Sequence, residues 1–228
     1  MAFSNTWLLK LNIDKSSKSK NIRVTGFIDM LYTQTRNVNF DFPYLMNLIR
    51  DYHSPKDKIS SFLRKKEILK VKKGIYILPE FKNLELLANQ IYGPSYLSNE
   101  FAMFHYGLIP EKVVEFTSVT IGKIKKFNTP VGRYTYRFLP LEKYNFEFTS
   151  ENGYLIATPE KSISDFIYLN SIKSPFVSSK ELNIYLRENM RIEKSSLKNL
   201  NPKIIRLISK KFNHLSIKNF SELVSNLK

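Results

Sequence analysis

The residues best suited to chemistry in this 228-residue sequence are cations. Lys56, Lys58, Ser61, Arg64, Lys65, Lys70, Lys72 and Lys73 fall within one short stretch. Ammonium groups neutralise phosphates, and the counterions they release make such binding fall steeply with added salt. Arg64 brings a planar fork that can take O6 and N7 of guanine together, the commonest base-specific contact to DNA. The pattern predicts a duplex-facing surface, with Arg64 reading a base and the lysines holding phosphates. Asp57 complicates it, since a carboxylate repels phosphate unless it caps a helix or accepts from a cytosine amino group. A second basic set, Lys194, Lys198, Lys203, Arg206, Lys210 and Lys211, marks another candidate surface in the tail.

Groups for covalent or acid–base chemistry are poorly assembled. The sequence has no Cys, which excludes a thiol nucleophile, a thiolate zinc site and a disulfide scaffold. His53, His105 and His214 are far apart, so a His-rich metal cage is not expected. His105 has no partner by motif and reads as a packing or capping residue before Gly107. Glu160 and Asp165 are separated by about 500° around a helix and do not share a face. Glu160 suits the positive end of a helix, and Asp165 reads as exposed or locally hydrogen-bonded. Glu147 and Glu151 with Lys161 could suggest a metal-dependent nuclease, but acid pairs beside lysine arise commonly by chance. Gly122 and Gly132 read as turn residues, so no phosphate-cradling loop is present. The expectation is a protein with no catalytic residues, no metal and no cofactor.

Helices and a hairpin must hold the basic stretch in place. Val24, Phe27, Ile28 and Leu31 share one helical face between Ile22 and Tyr32. Asp41 predicts the cap of a second helix, with Phe42, Leu45, Leu48 and Ile49 turned inward. Ser54 as cap, Pro55 at the first helical position and Asp57 in the first turn open a third. Ile59, Phe62 and Leu63 form its buried stripe, which turns Ser61 and Arg64 outward with Lys58 and Lys65 beside them. Ile68 to Val71 and Ile75 to Leu78 then flank Lys72, Lys73 and Gly74, a hairpin with lysines at its tip. Helix, helix, basic helix and basic-tipped hairpin is the order of a winged helix-turn-helix. Its third helix would enter the major groove and its wing would reach the flanking backbone.

Beyond Pro79 the pattern changes. Helices are predicted at 84–91 and 99–106. Strands follow at 114–119, 122–127, 133–138, 144–148 and 154–157, an antiparallel sheet between helices. Thr158, Pro159 and Glu160 open another helix with Ile163, Phe166 and Ile167 inward. The remainder reads as helical, with stripes at Leu182, Tyr185 and Leu186, at Ile204, Ile205 and Ile208, and at Phe220, Leu223, Val224 and Leu227. The expected class is α+β. The divisions are a flexible basic segment at 1–21, a winged helix at 22–80 and a C-terminal domain at 81–228. The last comprises a mixed part (81–170) and a basic helical tail (171–228).

Charge follows these divisions. The formal net charge is +16. Residues 1–80 carry +8, residues 81–170 are neutral, and residues 171–228 carry +8. Two basic ends around a neutral middle predict two separate polyanion-facing or acid-facing surfaces. No apolar run approaches the roughly 18 residues of a membrane helix. Asn5, Lys10 and Asn12 interrupt the first apolar residues before an export signal could form. A cytoplasmic protein with no membrane partner is expected.

Five groups of residues, in order, resemble the AbiEi family. They are Lys73-Gly74-Ile75-Tyr76; Pro94-Ser95-Tyr96-Leu97-Ser98; His105-Tyr106-Gly107-Leu108-Ile109-Pro110; Thr129-Pro130 with Gly132; and Ile156-Ala157-Thr158-Pro159-Glu160-Lys161 with Asp165. The similarity covers roughly residues 25 to 225. Members are antitoxins of AbiE-type (type IV) toxin–antitoxin systems linked to abortive phage infection. The resemblance implies a winged helix that binds inverted repeats in double-stranded DNA upstream of its own operon and represses transcription. It also implies a C-terminal domain that counteracts a nucleotidyltransferase-fold (AbiEii-like) toxin. Carried over, Lys58, Ser61, Arg64, Lys65, Lys72 and Lys73 belong to the reading helix and wing, while the motifs around Tyr96, His105 and Glu160 are structural. The segment through Asn21 lacks a clear counterpart in the family. The alternative is a winged-helix regulator whose C-terminal domain senses or oligomerises, with no toxin partner. A nucleic-acid-processing enzyme is the third reading.

Overall fold

A computed structural model describes residues 39–227. The predicted helix between Ile22 and Tyr32 and the segment 1–21 lie outside the described residues.

Asp41 caps the first described helix, α1 (Phe42–Leu48), its Oδ1 accepting from Tyr44 N at 2.8 Å. Leu45 and the following Ile49 are fully buried. Pro55 opens α2 (Pro55–Arg64). Ser54 holds the cap position without a capping bond, and its hydroxyl lies 3.3 Å from His53 Nδ1. Ile59 and Phe62 are buried and Leu63 half-buried. After α2, Lys66 turns the chain through the left-handed region (φ 58°). Strands β1 (Leu69–Lys72) and β2 (Ile75–Ile77) pair antiparallel, with Gly74 at φ 85° in the turn. Phe40 pairs with Tyr76 through two backbone hydrogen bonds of 2.9 and 2.8 Å. This third partner of the hairpin was not visible in the apolar pattern.

Strand residues alternate faces, and the hairpin uses both. Tyr76, with Ile68 and Leu78, packs among Phe40, Leu45, Ile49, Ile59 and Phe62. Val71 and Ile77 face the other way, toward Phe81, Leu87, Ala88 and Ile91. Packing therefore crosses the division expected between residues 80 and 81, and the hairpin is shared by both sides.

The body is built on a six-stranded sheet. In chain order it contains α3 (Leu84–Ile91), β3 (Ser95–Leu97), α4 (Asn99–His105), β4 (Glu115–Thr120), β5 (Lys125–Thr129) and β6 (Gly132–Phe138). Next come α5 (Leu141–Tyr144), β7 (Phe148–Glu151), β8 (Tyr154–Ala157) and α6 (Pro159–Ser171). The strand order is β5-β6-β4-β3-β8-β7. The expectation of a purely antiparallel sheet is corrected here: β4 and β6 run parallel, as do β3 and β8, so the sheet is mixed. β6 turns back from β5 at Thr129 and Gly132 and inserts between β5 and β4. The inner place buries the Tyr134 and Tyr136 rings, whose hydroxyls donate to Leu84 O at 3.1 Å and Ala88 O at 2.6 Å. Buried tyrosines need such partners, and α3 supplies both. The strand expected at 144–148 is not formed: Tyr144 ends α5, residues 145–147 bend, and β7 begins at Phe148. The Tyr144 ring lies beside that of Tyr96, with centroids 4.9 Å apart.

Each face of the sheet has its own core. One holds α3 and the hairpin. The other holds α6 and the tail helices α7 (Ser179–Ile184, continuing as a π-turn over Tyr185–Asn189), α8 (Lys194–Asn199), α9 (Pro202–Phe212) and α10 (Leu215–Asn226). Thr158 caps α6, accepting from Lys161 N. Arg137 donates to Leu169 O (2.7 Å) and Asn170 Oδ1 (3.1 Å), placing a cation at the negative end of α6. The class is α+β. No described helix is long and apolar enough to cross a membrane.

Candidate nucleic-acid interface

On α2 the apolar stripe faces α1 and leaves the opposite side open. Arg64 and Lys65 are exposed there and Ser61 is half-buried, while Lys56, also exposed, lies on the flank of the stripe beside Leu63. Exposed Asp57 lies in the first turn, where the helix dipole stabilises it. Lys58 is drawn back over two rings, its Nζ 5.2 Å from the centroid of Tyr52 and 5.0 Å from that of Phe62. Its charge is shared with those ring faces. Lys66 joins the exposed set, a residue the helical stripe did not single out.

On the hairpin, Lys70 and Lys73 are exposed. Lys72 is not at a free tip, which corrects its expected place. Its Nζ donates to Ile91 O at 2.6 Å and lies 5.0 Å from the ring centroid of Phe127. The attraction is physical: the last carbonyls of α3 carry partial negative charge, and an aromatic face adds more.

The tail cations Lys194, Lys198, Lys203, Arg206, Lys210 and Lys211 are all exposed. Lys203, Arg206 and Lys210 repeat at helical spacing along α9, whose Ile205, Ile208 and Phe212 are buried. Lys211 lies with its ammonium 4.6 Å from the Phe146 ring centroid. This second surface is separate from α2 in sequence and carries no acid within α9.

The residues weighed for catalysis are joined differently from the sequence reading. Asp165 is fully buried, neither exposed nor only locally bonded. It accepts from Tyr96 Oη at 3.0 Å and Ser98 Oγ at 2.8 Å and pairs with Lys161, which itself donates to Tyr96 Oη at 2.7 Å. Burial pushes the Asp165 carboxyl up and the Lys161 ammonium down, and each opposes the other's shift. Glu160 accepts from Asn201 N at 2.8 Å and so ties α6 to the start of α9. His105, without a partner by motif, lies 2.9 Å from Glu151 Oε2, and Tyr106 donates to Glu151 Oε1 at 2.9 Å. Glu151 is thereby bound to the end of α4. Among the described residues no group of three His, Asp or Glu side chains is placed to hold a metal ion.

No protein-family model matches this chain, and no curated protein matches it.

Proposed function

We propose that this protein is a duplex-DNA-binding repressor of the winged helix-turn-helix type that also acts as the antitoxin of an AbiE-type pair. In this reading α2 enters the major groove of operator DNA upstream of the protein's own operon. Arg64 contacts a base edge while Lys56, Lys65, Lys66, Lys70 and Lys73 hold phosphates. The body opposes a nucleotidyltransferase-fold toxin through the cationic face of α8 and α9. The observation that carries the reading is the Phe40–Tyr76 pairing. It closes a small sheet on α1 and α2 and sets the hairpin beside α2, while the outer side of α2 keeps its cations exposed. This supports the reading, since a helix-turn-helix protein presents its recognition helix to the major groove by an exposed polar side. Support for the antitoxin half is the resemblance in sequence motifs, whose Tyr96, Ser98, Lys161 and Asp165 meet in one buried network.

The test has two arms. A duplex from upstream of the gene should be retarded in a gel, more strongly than a scrambled duplex and less as salt rises. Co-expression should restore growth to cells carrying the neighbouring toxin gene. No retardation in dilute buffer removes the DNA-binding half. Retardation without growth rescue removes the antitoxin half and leaves a regulator without a toxin partner.

A further inference from the structure

The neutral charge of residues 81–170 conceals a segregation. No acidic residue occurs between Glu115 and Glu142, yet Lys123, Lys125, Lys126, Arg133 and Arg137 do. Strand order places the first three on or beside β5, the sheet edge that lies next to β1. Lys123, Lys125 and Lys126 are exposed, as are Lys70 and Lys73 on the neighbouring hairpin. Among the described residues none of these five is in an ion pair. The Lys72 clamp joins the two groups. Its ammonium lies against Phe127 of β5 and bonds the end of α3. Phe127 pairs with Tyr134 and Lys125 with Tyr136, so Lys125 shares the face of Phe127, about 7 Å along the strand. Lys126 stands on the other face.

With duplex DNA as the ligand of α2, the reading on which this rests, we infer that the phosphate contact continues past the hairpin onto the β5 edge. Lys123 and Lys125 hold the backbone that flanks the segment read by α2, and Lys126, on the other face, takes no part. Lys72 is a positioning residue: it locks Lys70 and Lys73 in line with β5 and touches no phosphate itself. An acidic protein docking on the same edge is the competing occupant. DNA is favoured because the strip is continuous with the hairpin beside α2.

The experiment uses the full chain and a duplex of its own upstream region, with affinity measured across a salt series. Each phosphate that is no longer neutralised flattens the slope of log K against log salt by about 0.9. Lys125→Ala should therefore flatten it by about 0.9, with the thermal transition unchanged, and Lys126→Ala should leave it as it was. Lys72→Met, which keeps the packing on Phe127, should weaken binding several-fold and leave the slope as it was. A wild-type slope in Lys125→Ala overturns the extension. A drop of about 0.9 in Lys72→Met overturns the positioning role, since Lys72 would then be a phosphate ligand. Should the strand variants fail to fold, Lys123→Ala in the β4–β5 connection gives the same reading, with a drop of about 0.9 expected and no drop fatal. If the wild-type chain retards no duplex at all, the failure belongs to the DNA-binding reading itself.

Discussion

Asp165 lies where water does not reach, with two hydroxyls and one ammonium around its carboxylate. Removing one partner of such a pair leaves an uncompensated buried charge, at a cost of about 3–5 kcal/mol, whereas replacing both by apolar groups is often far milder. Asp165→Leu and Lys161→Met should each destabilise by about that amount. The double variant should lose much less than the sum, as measured by denaturant unfolding; simple additivity would mean the two are uncoupled. His214 offers a pH-dependent counterpart. It stands at the cap position of α10 beside the Tyr168 ring, with its Nδ1 buried and unpaired. Burial first and Lys143 second hold its pKa below the usual histidine value. On acidification the unfolded chain takes the proton before the folded one, so stability held above roughly pH 6.5 is lost as pH falls. The melting temperature should fall between about pH 7.5 and about pH 5.5, and more gently in His214→Asn. An identical fall in both proteins would acquit His214.

At the scale of elements, the proposed reading of DNA rests on α2 and the hairpin. Arg64→Ala should weaken operator binding by about 1–3 kcal/mol and relax preference at one base pair. Binding to a set of single-base operator variants checks it, and an unaltered preference would mean that another side chain reads the base. The start of α2 was legible because Pro55 and Asp57 are local signals, acting within one turn of the helix they begin. The fate of Lys72 was not, since its partners Ile91 and Phe127 are remote in sequence. The place of β6 was hidden for the same reason. Strand periodicity shows which residues face inward but not which neighbour a strand selects, and here the hydroxyl acceptors on α3 decide.

For the whole molecule, the tail belongs to the core. Leu182, Leu186, Ile205, Ile208, Phe212 and Phe220 share one cluster with Ile163, Phe166 and Ile167 of α6. Truncation before Ser179 should therefore abolish the cooperative unfolding transition followed by circular dichroism, and any loss of toxin neutralisation would follow from that collapse. A truncated chain that still melts cooperatively would show the body to be independent of the tail. Charge reversal at Lys203, Arg206 and Lys210 tests the tail surface without touching that core. It should leave the melting temperature in place while growth rescue fails.

The order of residues by itself determined the α+β class, the caps of α1 and α6, the stripe of α2 and the cationic character of both ends, since each depends on neighbours within a turn or on composition. Only the tertiary structure decided that Lys161 and Asp165 are buried, that Lys72 is a clamp, that the sheet is mixed and that β5 joins the basic strip. Those outcomes depend on contacts between segments tens of residues apart, and burial and charge pairing are properties of the assembled chain.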